Sequence, residues 1–168
     1  EPMRQQRYGR ILLTGSSSGM YGIFGQANYG AAKAAMLGLM NALHLEGERY
    51  GIRINTITPT AATQMTQGLL KPEVERILSP ETVTPGALFL VSAGAPSRVM
   101  LAAGGGSFAR IHVMETQGVT LSGQMLSPEA VAERFEEISD MTGAVMLATG
   151  FDQTEKLANA ALGLAGEK

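Results

Sequence analysis

The chain has no cysteine and no tryptophan, only two histidines, and aromatic residues at just 5% of its 168 positions. Without cysteine there is neither a disulfide framework nor a thiolate metal site. His44 and His112 lie far apart in sequence, so neither has a second imidazole at ligand spacing, and no metal site is expected. Charge of one sign is lacking too: 13 Lys and Arg stand against 15 Asp and Glu, a net charge of −2. That balance makes no electrostatic case for nucleic acid or for an anionic membrane surface. No apolar run reaches the roughly 20 residues of a membrane span, and no signal-peptide pattern opens the sequence. The last residues, Gly166-Glu167-Lys168, are not a peroxisomal address, so a cytoplasmic location is expected.

Hydrophobic residues make up 45% of the chain, enough to bury a core at this length, and one domain is expected. Pro2–Tyr8 reads as the end of a helix or a loop. Arg10-Ile11-Leu12-Leu13-Thr14 is a buried-type strand between Gly9 and Gly15. Ser16–Phe24 is rich in Gly and Ser and reads as a loop. Ala, Met and Leu at helical spacing predict a long helix from Gln26 to about Tyr50, stopped by Gly51. Arg53–Thr58 is a β-branched strand ending at Pro59. Strand, helix and strand in that order imply a right-handed parallel crossover.

Further along, residues 60–82 read as a loop on the substrate side with a short helix near Pro72–Leu78. Pro85 to about Ala93 reads as a helix with proline in its first turn. Val99–Ala103 is a third strand, and Phe108–Met114 a segment of extended type. Between them, Gly104-Gly105-Gly106 reads as a turn rather than a phosphate loop, because no helix with a dinucleotide fingerprint follows. Ser127 with Pro128 marks a helix start, and Asp152 with Glu155 suggests a capping box for the last helix. Met36 and Met40, four apart, read as gap-filling core residues.

Within this frame Tyr29 and Lys33 stand four residues apart in Gln26-Ala27-Asn28-Tyr29-Gly30-Ala31-Ala32-Lys33, and Ser16 stands thirteen positions before Tyr29. On a helix, i and i+4 share a face. An ammonium beside a phenol stabilises the phenolate, and a hydroxyl on a nearby loop can hold a carbonyl oxygen against that phenol. Such a trio suits proton transfer between a ketone and an alcohol.

The ordered series of strand, Gly15-Ser16-Ser17-Ser18-Gly19, Tyr/Lys helix, strand and Pro59 resembles the short-chain dehydrogenase/reductase family. Tyr21 to Tyr29 and Asn55-Thr56-Ile57-Thr58-Pro59 are similar to (3R)-hydroxyacyl-CoA dehydrogenase domains of peroxisomal multifunctional enzymes and their bacterial relatives. The likeness is close over about residues 8–66; Ser127-Pro128-Glu129-Ala130-Val131 matches more loosely.

The resemblance implies an α/β fold: the C-terminal portion of a Rossmann-like, doubly wound parallel sheet, lacking the N-terminal strands that bind the dinucleotide. On it, residues 1–168 form a single incomplete domain, with a catalytic half at about 9–103 and a C-terminal extension at about 104–168. It implies Tyr29 as general acid/base, Ser16 as the residue that polarises the substrate oxygen, and Lys33 as the partner of Tyr29 and of the nicotinamide ribose. The family's spacing selects Ser16 over Ser17 and Ser18. Tyr29, Lys33, Pro59, Thr60, Ala62 and Thr63 are the implied contacts of NAD or NADP, with Ala62 facing the carboxamide through its backbone and Thr60 standing where many relatives have glycine. Asn55 is implied to be structural. Asn28 reads as a capping or loop residue. The implied substrate is a 3-hydroxyacyl or 3-oxoacyl thioester. Without the pyrophosphate cradle of the family, the chain is expected to hold a dinucleotide weakly. A reductase of other carbonyls is one alternative. A non-catalytic association module is another, because small residues on the long helix permit close packing. Expected partners are a second copy of the chain or a complementing N-terminal fragment.

Overall fold

The computed structural model describes residues 1–63 and 71–163. The stretch 64–70, part of the expected substrate-side loop, lies outside the described residues, as do the last five. The described chain divides into two compact units, Glu1–Ile111 and a second that begins at His112.

The first unit opens with the short helix α1 (Pro2–Gln6) and the strand β1 (Gly9–Thr14). A five-residue helix, α2 (Ser17–Tyr21), follows where the Gly/Ser content predicts a loop. Its entry is capped by the Ser16 hydroxyl, which accepts from Ser18 N. The long helix α3 runs Ala27–Gly47 and tightens into a 3-10 turn, Glu48–Tyr50. Gly51 then stops it with φ of 68°, a left-handed conformation that glycine adopts without strain. Strand β2 (Ile52–Pro59) pairs parallel with β1, Gly9 opposite Ile52 through Thr14 opposite Ile57. The crossover read from the sequence is therefore present.

Beyond β2 lie α4 (Pro72–Ile77) and α5 (Thr84–Val91), each with proline in its first turn, and then β3 (Met100–Gly104), parallel to β2. The glycine triplet turns the chain back into β4 (Ser107–Ile111), which pairs antiparallel with β3. The described strands thus form a mixed sheet in the order β1-β2-β3-β4. The fourth strand adds an antiparallel edge to the parallel β1-β2-β3 sheet: a tight glycine turn joins only antiparallel neighbours, whereas a parallel partner needs a crossover. Residues 104–111, assigned to the extension on sequence grounds, accordingly pair into the first unit.

Both faces of the central strands are covered, as their near-continuous apolar runs require. On one face Met40 of α3 packs with Ile52, Ile54 and Met100, flanked by Ile11, Leu13 and Leu37. On the other, Leu90 of α5 packs with Ile57, Val99 and Ala103, flanked by Leu12. Alternation along β1 explains the split, with Leu12 facing opposite to Ile11 and Leu13. Each fully buried side chain of this kind contributes about 1.5–3 kcal/mol.

Asn55 is fully buried, and its structural reading holds. Its amide donates to Leu90 O at 3.0 Å and Pro96 O at 2.8 Å, and its Oδ1 accepts from Val99 N at 3.0 Å. One side chain therefore ties β2 to the end of α5 and to the entry of β3. At the other end of the strands, Arg10 donates to Ser92 O and Ala93 O, and Arg53 to Ala95 O, placing cations at the C-terminus of α5.

In the second unit, Glu115 and Val145 form an isolated antiparallel bridge. Helix α6 (Pro128–Glu133) is capped by Ser127, as its sequence predicts, and α7 (Phe135–Ile138) follows it. Helix α8 (Gly150–Ala161) does start with a capping box, three residues earlier than the sequence suggests. Thr149 is the N-cap and Asp152 the third helical residue, each bonding the other's backbone N–H. Among the described residues no helix is long and apolar enough to cross a membrane, and no cluster of three metal-ligating side chains occurs.

Candidate active site

β1 and β2 run in the same direction, so Ser16, just past β1, and Pro59–Thr63, at and past the end of β2, lie at the carboxyl ends of the strands. Open α/β sheets bind ligands along that rim. Helix α3 returns from there, so its first turns carry Tyr29 and Lys33 along it.

Lys33 is the best-placed of the predicted residues. It is half-buried, and its Nζ donates to Thr14 O at 2.9 Å. Thr14 is the last residue of β1, two positions before Ser16. The same Nζ lies 5.7 Å from the centroid of the Tyr29 ring. One ammonium therefore reaches both the strand end and the phenol one turn back along the helix. Tyr29 itself is 45% exposed, which leaves the ring open to a ligand.

The three serines sort by environment. Ser18 is buried, and its hydroxyl donates to Gln26 Oε1 at 3.1 Å. Ser17 is exposed. Ser16 is half-buried, with its Oγ accepting from Ser18 N at 3.2 Å. That bond uses one lone pair and leaves the hydroxyl proton to donate.

After β2, Thr60 N donates to Ala103 O at 2.8 Å and holds the loop against β3. Its side chain lies against Gly104, where an added Cβ would come within 3.0 Å of Thr60 Cβ and 2.6 Å of Thr60 O. Ala62 N donates to Leu78 O at 2.7 Å, so the amide expected to face a carboxamide is already engaged. Thr63 is exposed at the margin of the described segment. A cleft of about 270 Å³ adjoins this loop, lined by Thr60, Leu78, Ala102, Gly104, Ser107 and Ala109.

Sequence reasoning missed the packing that seats the serine turn on α3. At Gly19 a Cβ would lie 2.7 Å from Ala34 N and 2.8 Å from Lys33 C, so α2 sits directly on the backbone of the turn that carries Lys33. At Gly30 a Cβ would lie 3.1 Å from Ser18 O. Gly19 was visible only as the end of a Gly/Ser run, and Gln26 only as the first residue of a helix. The contacts between them depend on tertiary structure.

The residues present fit the nicotinamide end of a dinucleotide. An ammonium has three donors. Lys33 directs one at Thr14 O, which leaves two for a ligand. Pro59, Thr60, Ala62 and Thr63 border the same rim.

The chain is similar to several known proteins. The family model described as short chain dehydrogenase matches residues 1–73. A short-chain type dehydrogenase/reductase of Mycobacterium tuberculosis is 42% identical over 142 residues, covering 84% of this chain and 49% of that protein. An acetoacetyl-CoA reductase of Acinetobacter is 36% identical over 100 residues, covering 54% of this chain and 40% of that protein. Among solved structures, the full-length peroxisomal multifunctional enzyme type 2 of Drosophila melanogaster superposes with a TM-score of 0.85 at 29% identity, covering 97% of this chain and 30% of that one. The chain thus spans about half the length of the mycobacterial relative and less of the others.

Proposed function

This chain belongs to the short-chain dehydrogenase/reductase family, and we propose that it carries the proton-transfer half of a nicotinamide-dependent oxidoreductase acting on 3-hydroxyacyl or 3-oxoacyl thioesters. The observation that carries the reading is Lys33, which bonds to the end of β1 beside Ser16 while facing the ring of Tyr29. The thioester is supported by the chain's likeness to an acetoacetyl-CoA reductase.

A bound NAD or NADP supplies the hydride in reduction and accepts it in oxidation. The chain's own residues handle the proton. In reduction Tyr29 Oη delivers its proton to the oxygen of the developing alkoxide; in oxidation its phenolate takes the proton from the substrate hydroxyl. Lys33 places its ammonium against the ring of Tyr29, and its remaining donors would hold the ribose hydroxyls. Ser16 donates its hydroxyl proton to the substrate oxygen and holds it in line with Tyr29. Pro59, Thr60, Ala62 and Thr63 would border the nicotinamide, Ala62 without its N–H, which Leu78 O already holds. The test is reduction of acetoacetyl-CoA by the purified chain at saturating NADH or NADPH, followed by nicotinamide absorbance. Oxidation of cofactor that depends on the thioester supports the proposal.

A second reading is favoured by the surface of α3. Ala31, Ala35 and Gly38 are exposed along it, and nothing lies within 4 Å of a Cβ built at Gly38. Such a small-residue face suits close approach of another helix. Self-association of the chain without nicotinamide binding would favour this module over the enzyme. A complementing N-terminal segment is the other expected partner, read out as tighter nicotinamide binding when it is supplied.

A further inference from the structure

We propose that Gln26, acting through Ser18, is a positioning residue that holds Ser16 in place against Tyr29 and Lys33. This rests on the oxidoreductase reading above and adds to it a residue outside the reacting trio.

The argument begins with the weakness of α2. Five residues cannot sustain a helix alone, so its position depends on what it touches. The segment leaving it offers little hold. Gly22 and Gly25 have φ of 76° and 80°, and a Cβ at either would meet nothing within 4 Å. Between them Ile23 and Phe24 are exposed, Phe24 completely. The serine turn is therefore not fixed by the chain that follows it. Gly15 N anchors its start on Ile57 O, and beyond that it is held by contacts through space, of which the bond to Gln26 is a polar one.

Ser18 is the junction. It is only 6% exposed, and a buried hydroxyl must find a partner. It donates to Gln26 Oε1 at 3.1 Å, and its backbone N–H donates to Ser16 Oγ at 3.2 Å. Gln26 in turn is the N-cap residue of α3, and its carbonyl accepts from Gly30 N at 2.7 Å. Hydrogen bonds thus run from the Ser16 hydroxyl through Ser18 and Gln26 into the first turn of the helix, where Tyr29 sits. The apolar side of the same contact is the close approach of Gly19 to Lys33 and Ala34. Packing fixes how near α2 lies to α3, and the Ser18–Gln26 bond fixes where along the helix it stops.

The chemistry of the bond predicts which replacements keep it. Glutamate at 26 retains an oxygen acceptor for the Ser18 hydroxyl. Leucine retains the size and loses the acceptor. Alanine at 18 removes the donor.

The test compares the wild-type chain with Gln26→Leu, Gln26→Glu, Ser18→Ala and the double variant Ser18→Ala/Gln26→Leu. Steady-state reduction of acetoacetyl-CoA gives kcat and the cofactor KM. The NMR resonances of the Tyr29 ring and the Lys33 side chain report the site without turnover. Gln26→Leu is expected to lower kcat about tenfold, the rate equivalent of one lost hydrogen bond, with cofactor KM unchanged. It should also shift the Tyr29 and Lys33 resonances. Gln26→Glu should retain most of the rate, and the double variant should be no worse than the worse single one, because both remove the same bond. A wild-type kcat with unmoved resonances in Gln26→Leu overturns the proposal, as does a Gln26→Glu variant as impaired as Gln26→Leu. If the wild-type chain shows no turnover yet the resonances move together as described, the oxidoreductase reading falls and the positioning role stands.

Discussion

Lys33 Nζ donates to the carbonyl oxygen of Thr14 at 2.9 Å, tying the second turn of α3 to the last residue of β1. An ammonium is strongly hydrated and is not held at a strand end by charge alone. The bond gives it direction, toward the rim where Ser16 and Tyr29 also lie. Lys33→Met keeps the stem of the side chain and removes the donors. We expect kcat to fall by about 10²-fold or more, in the range for groups that serve proton transfer, with a loss of stability of about 1 kcal/mol. Thermal unfolding and steady-state kinetics on one preparation separate the two effects.

Gly19 gives a test of packing. Its Cβ position lies 2.7 Å from Ala34 N, a backbone atom that cannot swing aside. Gly19→Ala should therefore push α2 off α3 and destabilise the first unit by about 1–3 kcal/mol, the usual cost of overpacking. Activity should fall further than stability, because Ser16 moves with α2. The denaturant midpoint and kcat measure the pair.

Asn55→Ala removes two donors and one acceptor from a site with no solvent access. Two carbonyls and one N–H are left without this partner. A loss of about 3 kcal/mol or more is expected, against about 0.5 kcal/mol for an ordinary surface change. Urea unfolding should show a lower midpoint with an unchanged slope.

The second unit carries a pH signature. Glu115 accepts from Lys156 Nζ at 2.8 Å and from Gln153. The hydrogen bond from Lys156, followed by that from Gln153, holds its carboxyl below the ordinary value of 4.5. A carboxyl depressed in the folded state contributes stability above its unfolded value, and that contribution is lost as pH falls through the folded one. Amide protection of α8 should therefore weaken as pH drops below about 4.5. Glu115→Gln should flatten that dependence, and an unchanged acid profile in the variant would assign it elsewhere.

Local pattern made the central unit legible. The apolar run at Ile11–Leu13, the helical spacing through Met36 and Met40, and the β-branched run ending at Pro59 each carry their own period, and the structure returns strand, helix and strand. Asn55 was legible through resemblance alone. What escaped was set by contacts between elements. Helix α2 has poor intrinsic propensity and exists because Ser16 caps it and Gly19 lets it touch α3. Strand β4 follows a glycine turn whose direction the composition does not state. Thr149 displaced the expected cap because its hydroxyl and Asp152 satisfy each other's backbone. At the rim, the spacing of Tyr29 and Lys33 was visible in the sequence. The commitment of Ala62 N to Leu78 O, and the bond from Ser18 to Gln26, were not.

The most direct test of the central claim is turnover by Tyr29→Phe. Phenylalanine keeps the ring and removes only the hydroxyl that would transfer the proton. With acetoacetyl-CoA and saturating nicotinamide cofactor, the wild-type chain should oxidise cofactor in proportion to thioester, and Tyr29→Phe should fall by about 10²–10⁴-fold. Its circular dichroism should be unchanged. Ser16→Ala should fall less, since it orients the oxygen and leaves the acid in place. A folded Tyr29→Phe chain that turns over at the wild-type rate would contradict the account, as would a wild-type chain that leaves both cofactor and thioester untouched when the complementing N-terminal segment is supplied.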